Sequence, residues 1–462
     1  MKSLCWLRRD LRLHDPAALA AALAHGPTVL VFVFDTNILD KLEDKDDRRI
    51  TFIMECLQDL EQKLQAKGST LLIRYGRPED EIPRLAVDLK VSAVFCNRDY
   101  EPYAKNRDSQ VEKALKSRGI AFHQFKDSVV FEKSEVLNGA GAVFKVFTPY
   151  KNKWLETFEA QDKVIADYKC VLKNLIPLKE KKNVLDHDWY RDIGFVKNPS
   201  MFPGGEKAGL KRLKSFADSL DDYEEQRNFP ALPGTSYLSV YIRFGAISVR
   251  DMLRLATSSR TSGAKTWLSE IIWRDFYQMI LDAYPHVADQ AYRPEYEKIR
   301  WLGKEEHFKA WCEGRTGFPI VDAAMRCLNQ TGTMHNRLRM IVASFLCKIL
   351  LVDYKKGEAY FARKLLDFDL AANNGGWQWS SSSGTDAQPY FRIFNPYTQS
   401  EKFDAEGTFI KKWCPELKDL GPKDIHRPDL PLMSHGYPEP IVEYEKNRER
   451  ALLMYSVVKS KK

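Results

Sequence analysis

A change of periodicity near the middle of the chain constrains the fold more than any other feature. Up to about residue 125, short apolar runs alternate with helical stretches. The runs are residues 4–7, 29–34, 71–75 and 93–96, and the helical stretches are residues 16–24, 49–66, 79–89 and 103–118. Short apolar runs between helices are typical of parallel strands buried on both faces. This alternation predicts an α/β domain with a doubly wound parallel sheet.

Beyond residue 196 the pattern is helical, and no strand alternation interrupts it. The predicted helices cover residues 204–220, 249–256, 265–283, 304–313, 320–330, 336–351 and 357–365, with a polar helical tail after residue 440. Residues 131–195 show neither period, and we expect a linker wrapped over the surface. The predicted parts are an α/β domain at 1–130, this linker at 131–195 and an all-α domain at 196–462.

Composition indicates a soluble globular protein. Hydrophobic residues make up 44% and charged residues 29% of 462 positions, which are ordinary values. The net charge of +8 permits an anionic partner without requiring one. The eight cysteines lack a Cys-x-x-Cys spacing, which predicts reduced thiols and no metal site. Because neither a signal peptide nor an apolar run of ~18 residues is present, we expect a cytoplasmic monomer without membrane contact.

Residues 367–379 hold the densest set of side chains suited to chemistry. Two acids, Asp367 and Asp369, are followed by two asparagines, two glycines and two tryptophans. One interpretation is a loop between helices with a tryptophan plug, since paired glycines let a backbone turn sharply. The other is a ligand site, in which acids accept N–H groups, amides bind a heterocycle and indoles stack on it. The combination favours the site.

The predicted helix at 265–283 has two contrasting faces at ~100° per residue. One is an ordinary core stripe made by Leu268, Ile272, Phe276 and Met279. The other is aromatic and charged, and consists of Trp267, Glu270, Trp273, Arg274 and Tyr277. Glu270 and Arg274 could form a solvated i,i+4 pair worth only ~0.2–0.5 kcal/mol. We favour a binding face, because large aromatics on exposed faces usually mark binding.

Two further groups of polar residues admit both a structural and a binding interpretation. Thr235 and Ser236 follow a glycine and could bind a phosphate, although such hydroxyls are more often helix caps. Arg337 and Arg339 are two positions apart on a predicted helix and therefore point differently. We expect Arg339 to pair with Asp367 in the interior and Arg337 to face a nucleic-acid phosphate. The charged run at residues 8–15 predicts ion pairs between domains rather than catalysis.

Several motifs together resemble a known family. They are Thr-Gly-Thr-Met-His-Asn-Arg-Leu-Arg-Met at 331–340, the segment 367–379, Gly-Thr-Asp-Ala at 384–387 and Tyr-Phe-Arg-Ile-Phe-Asn-Pro at 390–396. The chain resembles the DNA photolyase/cryptochrome family, close to the bacterial class I cyclobutane pyrimidine dimer photolyases. The likeness covers nearly the whole chain and is densest over residues 223–417. It implies an N-terminal antenna domain, a helical FAD-binding domain and light-driven repair of ultraviolet-damaged DNA.

The resemblance also implies roles for individual residues. The flavin-binding positions are Tyr223, Thr235, Ser236, Tyr237, Leu238, Ser239, Trp267, Glu270, Arg274, Arg339, Asp367, Phe368, Asp369 and Asn373, with Asn373 facing flavin N5. The positions that meet DNA or the flipped dimer are Arg227, Glu270, Trp273, Tyr277, Asn336, Arg337, Met340, Trp379, Arg392 and Gln399. A dimer stacks poorly, so extruding it costs less than extruding a normal base.

Two positions depart from the family pattern. Trp377 and Trp301 match the inner and outer tryptophans of the electron relay, but Tyr354 occupies the middle position. Oxidised tyrosine must usually lose a proton, so flavin photoreduction is expected to be slower or rerouted through Trp311, unless Tyr354 is simply core. Residues 101–104 lack the Asn-Glu pair of the folate subgroup. This segment looks more like that of relatives with a deazaflavin or another antenna. A second chromophore, methenyltetrahydrofolate or a deazaflavin, is expected, and its identity stays open.

Two rival functions remain. A cryptochrome-type blue-light photoreceptor would share the fold without repair, but Asn373 and Met340 match the repair pattern. A single-strand nucleic-acid binding protein with aromatic platforms would explain the rings and arginines without any flavin. That protein would be colourless, so an absorption spectrum distinguishes it.

Overall fold

A computed structural model describes residues 1–161, 164–178, 189–427 and 436–458. The chain forms two compact units. The first contains Met1–Phe144, Thr148–Leu220 and Ser236–Ala283, and the second contains Lys145–Phe147, Asp221–Thr235 and Tyr284–Lys462. The predicted boundaries at residues 130 and 195 stay predictions, and the units divide the chain at other positions.

The first unit contains a five-stranded parallel sheet. Its strands are β1 (Ser3–Leu7), β2 (Thr28–Asp35), β3 (Leu71–Gly76), β4 (Ala93–Asn97) and β5 (Ala121–Phe125), in the order β3-β2-β1-β4-β5. Trp6 pairs with Val31 across β1 and β2, and Leu4 pairs with Val94 across β1 and β4. This confirms the predicted doubly wound sheet. Strand β5 was not predicted, because it lies at the sheet edge with every residue exposed or only half-buried, so that its apolar signal is weak.

The helices of the first unit comprise the first five, which pack on the sheet, and others that follow them along the chain. They are α1 (Ala17–His25), α2 (Thr36–Leu39), α3 (Arg48–Gln65), α4 (Pro78–Asp88), α5 (Pro102–Lys116), α6 (Phe147–Glu159), α7 (Trp189–Asp192), α8 (Glu206–Ala217), α10 (Ser239–Arg243), α11 (Val249–Thr257) and α12 (Ser262–Ala283), and α9 (Tyr223–Gln226) belongs to the second unit. Helix α6 corrects the prediction for the linker, which was expected to lack periodic structure. Its aromatic residues pack inward, and the buried Trp154 ring lies 5.2 Å from that of Phe131.

The described residues of the second unit form helices and connecting loops. The helices that follow α9 are α13 (Glu305–Glu313), α14 (Pro319–Thr331), α15 (Asn336–Lys348), α16 (Tyr354–Lys364), α17 (Leu370–Ser381), α18 (Pro396–Phe403), α19 (Thr408–Trp413) and α20 (Tyr444–Tyr455). Helices α14 and α15 supply much of one apolar core. The predicted helix at 336–351 is confirmed, although it ends at Lys348.

The loop interpretation of residues 367–379 is wrong, because most of them form α17. Asp369 caps this helix, and its carboxylate accepts a hydrogen bond from the backbone N–H of Ala372 at 3.2 Å. Gly376 lies inside the helix. A good cap and burial of the tryptophan face outweigh the ~1 kcal/mol that a helical glycine costs relative to alanine.

The charged residues near the N-terminus form ion pairs as predicted, but the pairs of Arg12 and Arg250 lie within the first unit and do not join the two units. Arg12 contacts Asp127 at 2.8 Å, and Arg250 contacts Asp15 at 2.6 Å and Asp127 at 2.7 Å. All four side chains are buried and belong to the first unit. Within the described residues, no helix is both long and apolar enough to cross a membrane.

Candidate active site

The residues expected to form the site are divided between the two units. Those in the first unit are Ser236, Tyr237, Leu238, Ser239, Trp267, Glu270, Trp273, Arg274 and Tyr277. Those in the second unit are Tyr223, Arg227, Thr235, Trp301, Asn336, Arg337, Arg339, Met340, Tyr354, Asp367, Phe368, Asp369, Asn373, Trp377, Trp379, Arg392 and Gln399.

Helix α17 gives its two neighbouring amides different surroundings. Asn374 is buried, and its Nδ2 donates to the carbonyl of Val287 at 2.7 Å and to Oε1 of Glu358 at 3.1 Å. Asn373 is half-buried, and its Nδ2 donates to the backbone carbonyl of Glu358 at 3.2 Å. Asn374 therefore holds the helix in the core, while Asn373 is fixed by one contact and remains partly accessible.

Sequence analysis missed Glu358, which contacts both of these amides. Desolvation raises the pKa of its carboxyl to about 7, although the hydrogen bond from Asn374 favours the charged form. Glu358 is therefore partly protonated near neutral pH. A signal was available, because Tyr354, Phe361 and Leu365 are four before, three after and seven after it. Helical spacing places all four side chains on one apolar face.

The predicted pair between Arg339 and Asp367 is confirmed. One Nη of Arg339 contacts both carboxylate oxygens of Asp367, at 3.0 and 2.9 Å, and its Nε donates to the carbonyl of Met334 at 2.9 Å. The Asp367 side chain is only 7% exposed. The guanidinium compensates this buried charge through one nitrogen shared by both carboxylate oxygens, while its Nε binds the backbone just before α15. The pair therefore fixes the approach to α17.

Arg337 points elsewhere, as the i,i+2 spacing predicts. Its Nη2 donates to Oδ1 of Asn228 at 2.6 Å, and its guanidinium lies 4.4 Å from the Phe403 ring centre. Burial and the nearby Arg227 lower its pKa. On the same helix, Asn336 is exposed and its Nδ2 lies 4.0 Å from the sulfur of Met340. The first five residues of α15 thus include a guanidinium, an amide and a thioether.

The two tryptophans of α17 differ in burial. Trp377 is 2% exposed, and its ring centre lies 5.0 Å from that of Phe361 and 6.1 Å from that of Trp311. Trp379 is half-buried and lies 6.5 Å from Phe394. A tryptophan plug is therefore correct for the first indole and wrong for the second.

The other two members of the expected relay also lie in the second unit. Tyr354 is 4% exposed, and burial with nearby carboxylates raises its pKa well above the ordinary value. Trp301 is half-buried, with its ring 6.0 Å from that of Tyr455. Oxidation of Tyr354 would require loss of a proton that its surroundings retain.

Helix α12 corrects the two-face projection. Trp267 was expected on the binding face, but it is 2% exposed and packs 4.9 Å from the Phe216 ring. Leu268, assigned to the core stripe, is only half-buried. The helix is covered on several sides within its unit, so the projection could not separate a core face from a binding face. Glu270, which was assigned to the binding face, is half-buried.

The aromatic and charged residues near the C-terminal end of α12 form a second cluster. The rings of Trp273 and Tyr277 stack at 5.4 Å, and Arg274 donates to the carbonyl of Ser128. Asp275, which sequence analysis missed, is fully buried, and its Oδ2 accepts from the indole of Trp154 at 3.1 Å and from two backbone N–H groups. Burial raises its pKa to about 6.

The hydroxyl segment is not a helix cap. The N-cap position of α10 is Leu238, and no side chain caps it. Tyr237 has φ of 52° and its ring lies 5.1 Å from the guanidinium of Arg212, which donates to the Ser236 carbonyl at 2.7 Å. Ser239 is exposed at the start of the helix. The interpretation of Thr235 and Ser236 as caps of this helix is therefore wrong, and phosphate binding stays a prediction.

The remaining expected residues lie at the surface or beside these clusters. Tyr223 is buried beneath the guanidinium of Arg227, which is 5.2 Å from its ring centre. Phe368 and Gln399 are half-buried, and Arg392 is exposed. In the second unit, the carboxylate of Asp367 and the half-buried amide of Asn373 are groups of the kind that bind a planar heterocycle with several N–H and carbonyl groups.

Two family models match most of the chain. The model described as DNA photolyase matches residues 3–167, and the model described as FAD binding domain of DNA photolyase matches residues 267–457. The deoxyribodipyrimidine photo-lyase of a Synechococcus species is 42% identical, with 99% of this chain and 97% of that protein covered. The Escherichia coli enzyme of the same name is 40% identical, with 99% of each covered.

Solved structures agree with this likeness. A bacterial class III photolyase from Agrobacterium tumefaciens has a TM-score of 0.86 at 35% identity, covering 99% of this chain and 98% of that one. A cryptochrome from Synechocystis has the same TM-score at 27% identity, covering 98% and 99%. An archaeal photolyase from Sulfolobus tokodaii, solved with two FAD molecules, has a TM-score of 0.82 at 33% identity, covering 99% and 100%.

Proposed function

The chain belongs to the DNA photolyase family, and from this premise we propose that it is an FAD-dependent photo-lyase that repairs cyclobutane pyrimidine dimers in ultraviolet-damaged DNA. The observation that carries the proposal is the likeness of nearly the entire chain to enzymes named deoxyribodipyrimidine photo-lyase, at 42% and 40% identity. A photoreceptor of the cryptochrome type is the rival. The cryptochrome structure is only 27% identical, which favours the repair enzyme.

The likeness to the family assigns FAD to the positions named above as flavin-binding. In the second unit, Asp367 fixed by Arg339, Asp369 and the half-exposed Asn373 offer carboxylate and amide groups to a flavin. In the first unit, Ser236, Ser239 and the backbone around them offer donors to a diphosphate. When bound, FAD supplies the light-excited electron that splits the cyclobutane ring.

The chain's own residues position the reactants and exclude water. Asn373 is assigned to the position that faces flavin N5. Its side-chain amide is restrained by the hydrogen bond that it donates to the backbone carbonyl of Glu358. Glu270 is assigned to the base edge of the dimer and Trp273 to packing on it. Arg337 and Arg392 are assigned to phosphates, which would position the DNA without reading its sequence.

Three further assignments are proposals of the same kind. A second chromophore, a folate or a deazaflavin, is proposed for the first unit, and acid release of bound pigment followed by its absorption spectrum tests it. A cytoplasmic location is proposed because all eight cysteines are free thiols, as expected in a reducing compartment. A monomer is proposed for solution, and light scattering would measure it.

Repair of ultraviolet-irradiated oligothymidylate tests the central proposal. The reduced, flavin-loaded protein is illuminated with blue light, and thymine absorbance is followed against a dark control. Recovery of absorbance in the light alone is expected. A yellow protein that gives no recovery would refute the repair assignment and favour the photoreceptor.

Variants on α12 test the assigned dimer contact. Glu270→Gln is expected to weaken repair, because the amide offers one acceptor oxygen where the carboxylate offers two; FAD content per protein is measured alongside, since Glu270 is also an assigned flavin position. Ser269→Ala is the matched control, since that neighbouring hydroxyl only donates to the carbonyl of Lys265 in its own helix, at 3.0 Å. Equal loss in both variants would indicate damage to the helix and not loss of a dimer contact.

A further inference from the structure

A fully buried lysine of the second unit has no part in the roles assigned above. Lys348 ends α15 and is 0% exposed. Its amine donates to the hydroxyl of Ser382 at 3.0 Å and to the backbone carbonyl of Arg392 at 3.2 Å. The ring of Tyr455 lies 6.0 Å from the same nitrogen. Among the described residues, no carboxylate lies within ion-pair distance of this amine.

A buried amine without an acidic partner reduces the stability of the fold. A buried cation without an acidic partner is strongly disfavoured, and the amine sheds its proton more easily as a result. Burial, with Arg392 nearby, lowers the pKa of Lys348 to about 7. A methionine of similar length would fill the same space without this cost. What the amine adds is therefore its two directed hydrogen bonds.

These hydrogen bonds join three parts of the second unit. Lys348 belongs to α15, whose first five residues include Asn336, Arg337 and Met340. Ser382 follows α17 and adopts φ of 70°, a left-handed conformation that redirects the chain. Arg392 lies in the connection to α18. Its side chain is exposed, whereas its backbone carbonyl accepts the hydrogen bond from the amine of Lys348. The amine thus fixes the connection against α15.

We propose that Lys348 is a positioning residue for lesion binding, which holds the connection between α17 and α18 so that the guanidinium of Arg392 meets a DNA phosphate. The proposal rests on the proposed function, because it assigns Arg392 to DNA. The lysine itself touches neither DNA nor flavin. It acts through the backbone of Arg392, whose carbonyl it binds.

A double-mutant cycle tests this route with flavin-loaded protein and ultraviolet-irradiated oligothymidylate. Arg392→Ala is expected to weaken binding about tenfold, the size of a lost charged hydrogen bond. It should also reduce the slope of log affinity against log salt by ~0.7, the value for one single-strand phosphate contact. Lys348→Met is expected to change both quantities in the same direction and to have no further effect in the Arg392→Ala background. In Lys348→Met, FAD content and the light-driven step per bound lesion should stay unchanged.

Two controls separate this route from a general effect on the fold. Lys356→Met removes an exposed lysine of α16 that pairs with Glu305 on the surface, and it should bind like the wild type. Ser382→Ala removes only one acceptor of the buried amine. If Lys348→Met does not fold, Ser382→Ala should still weaken binding, and again only while Arg392 is present.

Each outcome has one meaning. Wild-type binding by Lys348→Met, no loss in Arg392→Ala, or equal losses with and without Arg392 would overturn the positioning role. If the wild-type protein does not prefer irradiated over unirradiated oligothymidylate, the proposed function fails instead, and that measurement does not involve Lys348.

Discussion

Gly357 is the position where a single methyl group should disturb the candidate site most. It lies inside α16, and a Cβ built there would be 2.2 Å from Cη2 and 2.5 Å from Cζ3 of Trp377, and 2.5 Å from Cδ2 of Leu346. Carbon atoms in contact are normally about 3.5–4.0 Å apart. Something must therefore move by more than about 1 Å. Trp377 is 2% and Leu346 0% exposed, so neither has free space to enter.

The size of the effect follows from two opposing contributions. Overpacking a filled core costs ~1–3 kcal/mol, and this contact is at the severe end. Alanine in a helix interior regains ~1 kcal/mol relative to glycine. We expect Gly357→Ala to lower the free energy of unfolding by ~1–2 kcal/mol, measured by urea denaturation. Lys356→Ala on the exposed side of the same helix should change it by less than ~0.5 kcal/mol.

Making Gly357→Ala in a Trp377→Phe background tests whether the indole causes the loss of stability. Phenylalanine lacks the outer atoms Cη2 and Cζ3, so Trp377→Phe opens the space that a methyl group at position 357 needs. The two substitutions should therefore couple by at least ~0.5 kcal/mol. If Gly357→Ala is as stable as the wild type, helix α16 can move away from Trp377 and the packing argument is wrong.

Three further predictions concern charge and electron transfer. The pKa of Lys348 is about 7 in the folded protein against an ordinary 10.5, so the unfolded chain binds the extra proton between these values. The stability of the wild type relative to Lys348→Met should therefore rise with pH across this window, by up to ~1.4 kcal/mol per pH unit, and a flat difference in urea titrations would contradict it. Arg339→Met leaves the carboxylate of Asp367 buried without its partner and should cost ~1–3 kcal/mol together with FAD content, read from the flavin absorbance per protein; full retention of FAD would show that the pair does not support the site. Trp311→Phe should slow photoreduction of the bound flavin with external thiol more than Tyr354→Phe does, because the Trp311 ring lies 6.1 Å from that of Trp377 whereas the Tyr354 phenol retains its proton. Unchanged rates in Trp311→Phe would exclude that route.

Local periodicity was sufficient for most of the fold. The buried strands β1 to β4 alternate with helices, and the spacing of their apolar residues depends only on which side chains are buried. This spacing can be read directly from the sequence. Strand β5 was missed because it is a partly exposed edge strand, whose residues show no clear contrast between apolar and polar positions. Helix α17 was misread because two adjacent glycines are a turn signal locally, while Asp369 and the burial of Trp377 decide the outcome.

The site was predictable where the chemistry of a pair is unambiguous. An arginine on the inner side of α15 and an acid before α17 were expected to neutralise each other's charge in an ion pair. Arg339 does contact Asp367. Charged residues within helices were harder. Asp275 is an ordinary helical acid by sequence, and a helical acid is normally solvated. Glu358 shares a helical face with apolar residues, a signal that the sequence contains but that was not used.

By itself, the sequence determined the order of strands and helices, the family and the residue types available for flavin and DNA, because these depend on local spacing and composition. Only the tertiary structure decided that Trp267 is buried, that the surroundings of Glu358 raise its pKa to about 7 and that the amine of Lys348 holds the backbone of Arg392. The reason is that burial and electrostatic surroundings are set by residues distant in sequence. A desolvated charge is defined by everything packed around it, and no local pattern contains that information.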